Sequence, residues 1–125
     1  MKKIIQTDHA PQAIGPYSQA IQFNSTVYFS GQIPLDPKTM LIVDDDFAKQ
    51  AQQVMLNLQA VSHAAGGSLD QIVRLTIYLT DLADFSVLNN MMTQFFKPPY
   101  PARTTIQVAA LPKSAKIEID AVMCI

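Results

Sequence analysis

An arginine and a glutamate, fifteen positions apart, are the residues in this chain best suited to chemistry on a small anion. Arg103 stands in PYPARTTIQV, residues 100 to 109, at the mouth of a stretch otherwise built for a β-sheet interior. The chain has only nine basic residues, so one placed beside two prolines and ahead of Thr104, Thr105, Ile106 and Val108 calls for a partner. A guanidinium is a planar fork that grips a carboxylate through two parallel hydrogen bonds. Glu118, in KIEIDAV, supplies a carboxylate that can manage a water or a proton. The bland alternative is that the two simply pair with each other.

Other chemistries lack their signatures. There is no nucleophile elbow, P-loop, H-E-x-x-H or G-x-G-x-x-G, and the single cysteine, Cys124, cannot form an internal disulfide or a metal cluster. His63 falls inside a helical stretch and His9 in an N-terminal loop, and neither is assigned a role. No metal and no cofactor is expected.

The elements that must position Arg103 and Glu118 are legible as periodicities. SQAIQF (18 to 23) and TVYFS (26 to 30), split by Asn24 and Ser25, read as a hairpin, with a short extra strand possible at Lys3 to Ile5. GQIPLDPKT (31 to 39) reads as loop. Asp44 to Asp46 can cap a helix whose Phe47, Ala51, Val54, Leu58, Val61 and Ala65 form one stripe, ended by Gly66 and Gly67. IVRLTIYL (72 to 79) alternates, with Val73, Leu75, Ile77 and Leu79 on one face and Arg74, Thr76 and Tyr78 on the other. A second helix starts near Asp81 or Asp84, turns Phe85, Leu88, Met92 and Phe95 inward, and ends before Pro98 and Pro99. Strands at 104 to 110 and 117 to 124 follow, joined by LPKSA.

The order ββαβαββ predicts an α+β domain spanning residues 1–125, with a mixed sheet and two helices on one of its faces. Arg103 has the parity of Thr105 and Gln107, and Glu118 that of Asp120 and Val122, and both sets are expected on the uncovered face. If the last two strands form an antiparallel hairpin, Glu118 lies opposite about residue 109, roughly 20 Å from Arg103. The two then cannot touch within one chain, but could meet where one subunit abuts another. The uncovered face is half polar and half apolar, which suits burial against another copy or plain solvation.

Composition bounds the partners. The chain has 125 residues, 49% hydrophobic and 15% charged, with a formal charge of −1 and basic residues scattered along it. That profile predicts one soluble domain and excludes the basic footprint of a nucleic-acid binder. The start, MKKIIQTDHAPQ, is far short of a signal-peptide core and no run reaches membrane-spanning length, so no membrane is expected as a partner and a cytoplasmic location is.

Nearly the whole chain resembles the RidA (YjgF) family of imine deaminases, through AIGPYSQAI (13 to 21), YFSGQIPLDPKT (28 to 39), AAGGSLDQIV (64 to 73), TIYLTDLADF (76 to 85) and PARTTIQVAALPKSAKIEIDAV (101 to 122). The resemblance implies a chorismate-mutase-like fold assembled as a homotrimer, with sites in the clefts between subunits. It implies hydrolysis of reactive 2-imino acids, formed from enamines such as 2-aminoacrylate, to 2-keto acids and ammonia. By position, Arg103 would bind the substrate carboxylate with help from the Thr105 backbone, and Glu118 would activate the water. Tyr17, Ser30, Gly31 and Asn89 would line the cleft. Thr105 stands where several relatives carry cysteine, so no thiol is needed. The competing function is a non-catalytic trimer that senses small 2-keto acids or amino acids, for which Glu118 would be superfluous.

Overall fold

The computed structural model describes all residues, 1–125. Its elements are β1 (Lys3–Ile5), β2 (Ala20–Phe23), β3 (Thr26–Gln32), α1 (Phe47–Ala64), β4 (Ile72–Leu79), α2 (Phe85–Phe95), β5 (Ala102–Gln107) and β6 (Ile117–Cys124). They build one six-stranded mixed sheet in the order β1-β2-β3-β6-β4-β5, antiparallel except for the β4–β5 pair, with both helices packed on one face.

α1 begins where the acidic run predicts. The Asp46 carboxylate accepts from the Lys49 amide at 3.1 Å, satisfying one of the free donors of the first turn. Phe47, Ala51, Val54, Leu58 and Val61 are buried against the sheet, and the chain leaves the helix through Gly66 at φ +87°, a conformation that costs glycine nothing. Asp81, not Asp84, caps the approach to α2: it accepts from the Ala83 amide at 2.9 Å and starts a short 3-10 turn, Leu82–Asp84. Leu88 and Met92 of the expected stripe are buried, joined by Met91, and Phe95 packs partly buried against the core. Phe85, expected inward, is instead 39% exposed at the sheet margin.

Leu75, Ile77 and Leu79 of β4 are fully buried under the helices, with Thr76 and Tyr78 on the opposite face, as the alternation predicts. Val73 departs from it. The β4–β6 ladder slips between Ile72 and Arg74, so Ile72 takes the core position and Val73 lies 46% exposed.

The largest correction concerns the last two strands, which do not pair. β6 runs between β3 and β4, the most buried place in the sheet, and β5 lies parallel to β4 on the far edge. β6 earns that place by its alternation: Ile117, Ile119, Ala121 and Met123 are all 0–2% exposed, whereas every residue of β5 retains solvent contact. In the parallel register Arg103, Thr105 and Gln107 sit beside Leu75, Ile77 and Leu79 and so share the helix-covered side, not the open one. Glu118, Asp120 and Val122 do lie on the open face, beside Tyr78, Thr76 and Arg74.

Candidate active site

Glu118 owes its setting to a bulge. β3 pairs Phe29 with Ala121 but Gln32 with Ile119, so one extra residue is accommodated at Ser30–Gly31, beside Glu118. Bulges of this kind bend a strand and re-aim its neighbours. Here Gly31 lies so close to Glu118 that a Cβ built on it would overlap the carboxylate. Ser30 ties the bulge to the turn before β2: its hydroxyl donates to the Ser18 carbonyl at 2.5 Å and its amide to the Gln19 carbonyl at 3.0 Å. Tyr17, on that turn, is 52% exposed, and its hydroxyl accepts from the Ile14 amide at 3.4 Å.

Tyr17, Ser30, Gly31 and Glu118 line one groove of about 700 Å³, walled by Ile33, Leu35 and Met40 on one side and by Pro112 and Lys113 on the other. The Glu118 carboxyl is pushed above the ordinary glutamate range, first by burial and then by the negative charge of Asp120. Asp120 itself accepts a hydrogen bond from the Tyr78 hydroxyl at 3.0 Å. No lysine or arginine forms an ion pair with Glu118. A half-buried carboxylate, unneutralised and facing a cavity, is suited to take a proton at a higher pH than an ordinary glutamate.

Arg103 belongs to a different cleft, of about 300 Å³, lined by Asn89, Met92, Thr93, Tyr100, Pro101 and Arg103. α2 holds the guanidinium from one side. Nη1 donates to the Asn89 Oδ1 at 2.8 Å, and the guanidinium carbon lies 5.2 Å from the centre of the Phe85 ring, a cation–π distance. One donor of the fork is thereby spent on orientation and the rest remain for an anion. Thr105 is next but one along the strand; its hydroxyl is buried without a partner and does not line the cleft. Any contact it offers a ligand there would come from its backbone.

The expected residues therefore divide into two groups, Tyr17, Ser30, Gly31 and Glu118 in one place, and Arg103, Asn89 and Thr105 in another. The ladders put Arg103 in the row of Leu75 and Ala121, and Glu118 in the row of Tyr78 and Ile106. That is two strand spacings and three residues, roughly 14 Å between Cα atoms, with the side chains on opposite faces. The two cannot meet within one chain, because they project from opposite faces of the sheet rather than because of a hairpin offset.

Phe85 and the groove walls escaped the sequence reading. Phe85 carries the same spacing as the core stripe, but as the first residue of α2 it lies 39% exposed, with Arg103 over its ring. Ile33, Leu35 and Met40 lie in the loop at 31 to 39 and just beyond it, where two prolines and a glycine signal a shaped loop, and Pro112 and Lys113 lie in the LPKSA segment before β6. His9 and His63 are both exposed, Cys124 is an exposed free thiol near the end of β6, and no helix is long and apolar enough to cross a membrane.

Residues 7–125 match the family model described as endoribonuclease L-PSP. The chain is 44% identical over 124 residues to the 2-iminobutanoate/2-iminopropanoate deaminase of Dermatophagoides farinae, covering 99% of this chain and 97% of that protein. It superposes on the crystal structure of RidA from the Antarctic bacterium Psychrobacter with a TM-score of 0.95 at 49% identity, covering 98% and 99% of the two chains. It also matches Escherichia coli TdcF with bound serine, at a TM-score of 0.93 and 44% identity, over 98% of each chain.

Proposed function

The chain belongs to the RidA (YjgF) family, and from that membership we propose that it is a 2-iminobutanoate/2-iminopropanoate deaminase whose site is completed between subunits of a homotrimer. The observation that carries the reading is the division of the site: an arginine oriented by α2 on the helix side of an edge strand, and a carboxylate of raised pKa in a groove on the other face. Neither half suffices for imine hydrolysis, and geometry forbids their meeting in one chain. The open face carries Tyr28, Ile106 and half-buried Val122 among polar residues, a composition suited to burial against another copy.

In the proposed reaction, Arg103 of one subunit grips the carboxylate of a 2-imino acid, presenting the C=N carbon to Glu118 of its neighbour. Ionised Glu118 takes a proton from water as the water oxygen bonds to that carbon. Glu118 passes that proton to the carbinolamine nitrogen, then takes the hydroxyl proton as ammonia leaves and the carbonyl of the 2-keto acid forms, and releases it to the departing ammonia. A protonated imine is already electrophilic, so positioning and proton transfer are enough, and no cofactor or metal is called on. The bound serine of TdcF supports a small amino-acid-like ligand. The endoribonuclease of the family description is not carried to this chain, because its charge of −1 and scattered basic residues make no phosphate-binding surface. The cytoplasm, where pyridoxal-phosphate enzymes release such enamines, is the proposed location.

The test mixes two dead proteins. Arg103→Ala and Glu118→Gln subunits, unfolded together in equal amounts and refolded, pair an intact Arg103 with an intact neighbouring Glu118 in about a quarter of random interfaces of a cyclic trimer. Imine decay, followed with a dehydratase generating 2-aminoacrylate, should recover to about a quarter of the wild-type rate. Two inactive proteins that stay inactive when co-refolded would sink the shared site.

Gly31 gives an independent check. Gly31→Ala forces the Glu118 carboxylate aside, because the added methyl occupies its place. A misplacement of about 1 Å costs on the order of 10²-fold in turnover. Steady-state kinetics should show that loss in kcat, with 2-keto acid affinity by calorimetry nearly unchanged, since Arg103 is untouched.

A further inference from the structure

The groove that holds Glu118 is walled by two loops remote in sequence, and one buried side chain beneath them touches both. Ile33, Leu35 and Met40 come from the segment between β3 and α1, and Pro112 and Lys113 from the segment before β6. Each wall contains non-glycine residues in the left-handed conformation, Met40 at φ +59°, Lys113 at +56° and Ser114 at +57°. Such backbone persists only where its surroundings over-determine it.

Gln50, in the first turn of α1, is 1% exposed. Its Nε2 donates to the Asp44 carbonyl at 2.8 Å, at the end of the first wall segment. Its Oε1 accepts from the Lys116 amide at 2.8 Å, at the end of the second and two residues before Glu118. Two turns further along α1, Asn57 donates to the carbonyls of Ile33 and Leu35 at 3.3 and 3.1 Å, but reaches one wall only. On the surface, Lys116 Nζ donates to the Asp45 carbonyl at 2.6 Å, a second and exposed tie between the same two segments.

We propose that Gln50 is a positioning residue that sets the width of the Glu118 groove, by fastening its two walls to each other from inside the fold. It touches no substrate. Its amide is the one side-chain type that can donate to one wall and accept from the other at the same length, and burial makes either bond costly to leave unmade. With both made, the groove stays narrow and the glutamate half-buried. With both lost, the walls part and water reaches the carboxylate.

The kinetic arm of this inference rests on the deaminase reading; a second arm does not. Glu118 is the only glutamate in the chain, so protein labelled with ¹³Cδ-glutamate gives a single carboxyl resonance whose titration reports that residue directly. The charged and titratable groups around it are Asp120 on its own strand, Tyr78 and Arg74 on β4, and Tyr17 and Lys113 in the groove. None is altered by Gln50→Met, which keeps the length of the side chain and removes both bonds. The expected result is a Glu118 midpoint displaced downward toward ordinary glutamate, with kcat lower by about 10-fold and KM within about twofold of wild type. Leu58→Ala, which opens a core cavity on the same helix and removes no hydrogen bond to either wall, serves as the stability control: it should lower Tm without moving the midpoint.

Gln50→Asn, too short to span both walls, stands in if Gln50→Met does not fold, and should move the midpoint in the same direction. A midpoint and kcat that stay at wild-type values in these variants overturn the proposal, as does an equal midpoint shift in Leu58→Ala. If the midpoint moves but no protein, wild type included, hydrolyses imines, the deaminase reading fails and the clip stands.

Discussion

Arg103→Ala abolishes the acceleration of imine decay while leaving the fold intact. The side chain is exposed on an edge strand, tied only to Asn89 and lying over Phe85, so its removal opens no cavity and orphans no buried group. Surface changes of this kind usually stay within about 0.5 kcal/mol, and the melting temperature should hardly move. Binding is another matter. A carboxylate held by two parallel charge-assisted bonds loses both, and each is worth about 1.5–3 kcal/mol, so kcat/KM falls by about 10² to 10⁴-fold. Arg103→Lys restores the charge without the fork and should recover only a small part of that. The measurements are imine decay with a 2-aminoacrylate source and calorimetric titration with a 2-keto acid. Wild-type decay rates in Arg103→Ala would remove the arginine from the site altogether.

Glu118→Gln separates turnover from binding. The amide fills the same space but cannot take a proton from water, so kcat should drop by about 10² to 10⁴-fold, the usual contribution of a general base. Keto-acid affinity, which the proposed mechanism assigns to Arg103, should persist. A trimer that only senses metabolites would show no turnover to lose, so this variant also tells enzyme from binding module. In the wild type, activity should fall as pH drops, with an acid limb above the ordinary glutamate range because burial and Asp120 both oppose ionisation.

The same shift predicts stability, and the sign is opposite to that of a salt-bridged carboxylate. Burial raises the Glu118 pKa in the folded protein, so the folded state binds its proton more tightly than the unfolded state. The favourable contribution is complete below the unfolded pKa and is lost as pH rises through the folded one. At neutral pH the ionised carboxylate is therefore a burden on the fold, and Glu118→Gln should melt slightly higher than wild type, an advantage that shrinks in acid. Thermal melts at neutral and acid pH check this. A lower melting temperature at neutral pH would mean that the carboxylate is better solvated or paired than its place beside Gly31 and Asp120 allows.

The parts of this protein written in local pattern were readable before any fold was known. The α1 stripe with a cap among Asp44 to Asp46, the alternation of β4 after its first two residues, and the span of β6 all follow from local signals that need no partner to interpret. Tyr17, Ser30, Gly31 and Asn89 were different. Their side chains and spacing carried no signal of their own, and only the likeness of whole blocks to a known family nominated them. The structure then collects the first three around Glu118 and puts Asn89 on Arg103. Phe85 has the spacing of the stripe but is the first residue of α2, and a periodicity does not tell how far along the helix the core extends.

Alternation by itself told which residues share a face: Arg103 with Thr105 and Gln107, Glu118 with Asp120 and Val122. It could not tell which face each set takes, since a strand has two and the choice is made by the neighbour it pairs with. That neighbour is decided by long-range packing. β6, apolar on every second residue, is worth most in the middle of the sheet, and β5, with a single half-buried residue at Thr105, is left to the edge, parallel to β4. The order of the strands, not the order of the residues, puts the arginine under α2 and the glutamate in the groove on the opposite side.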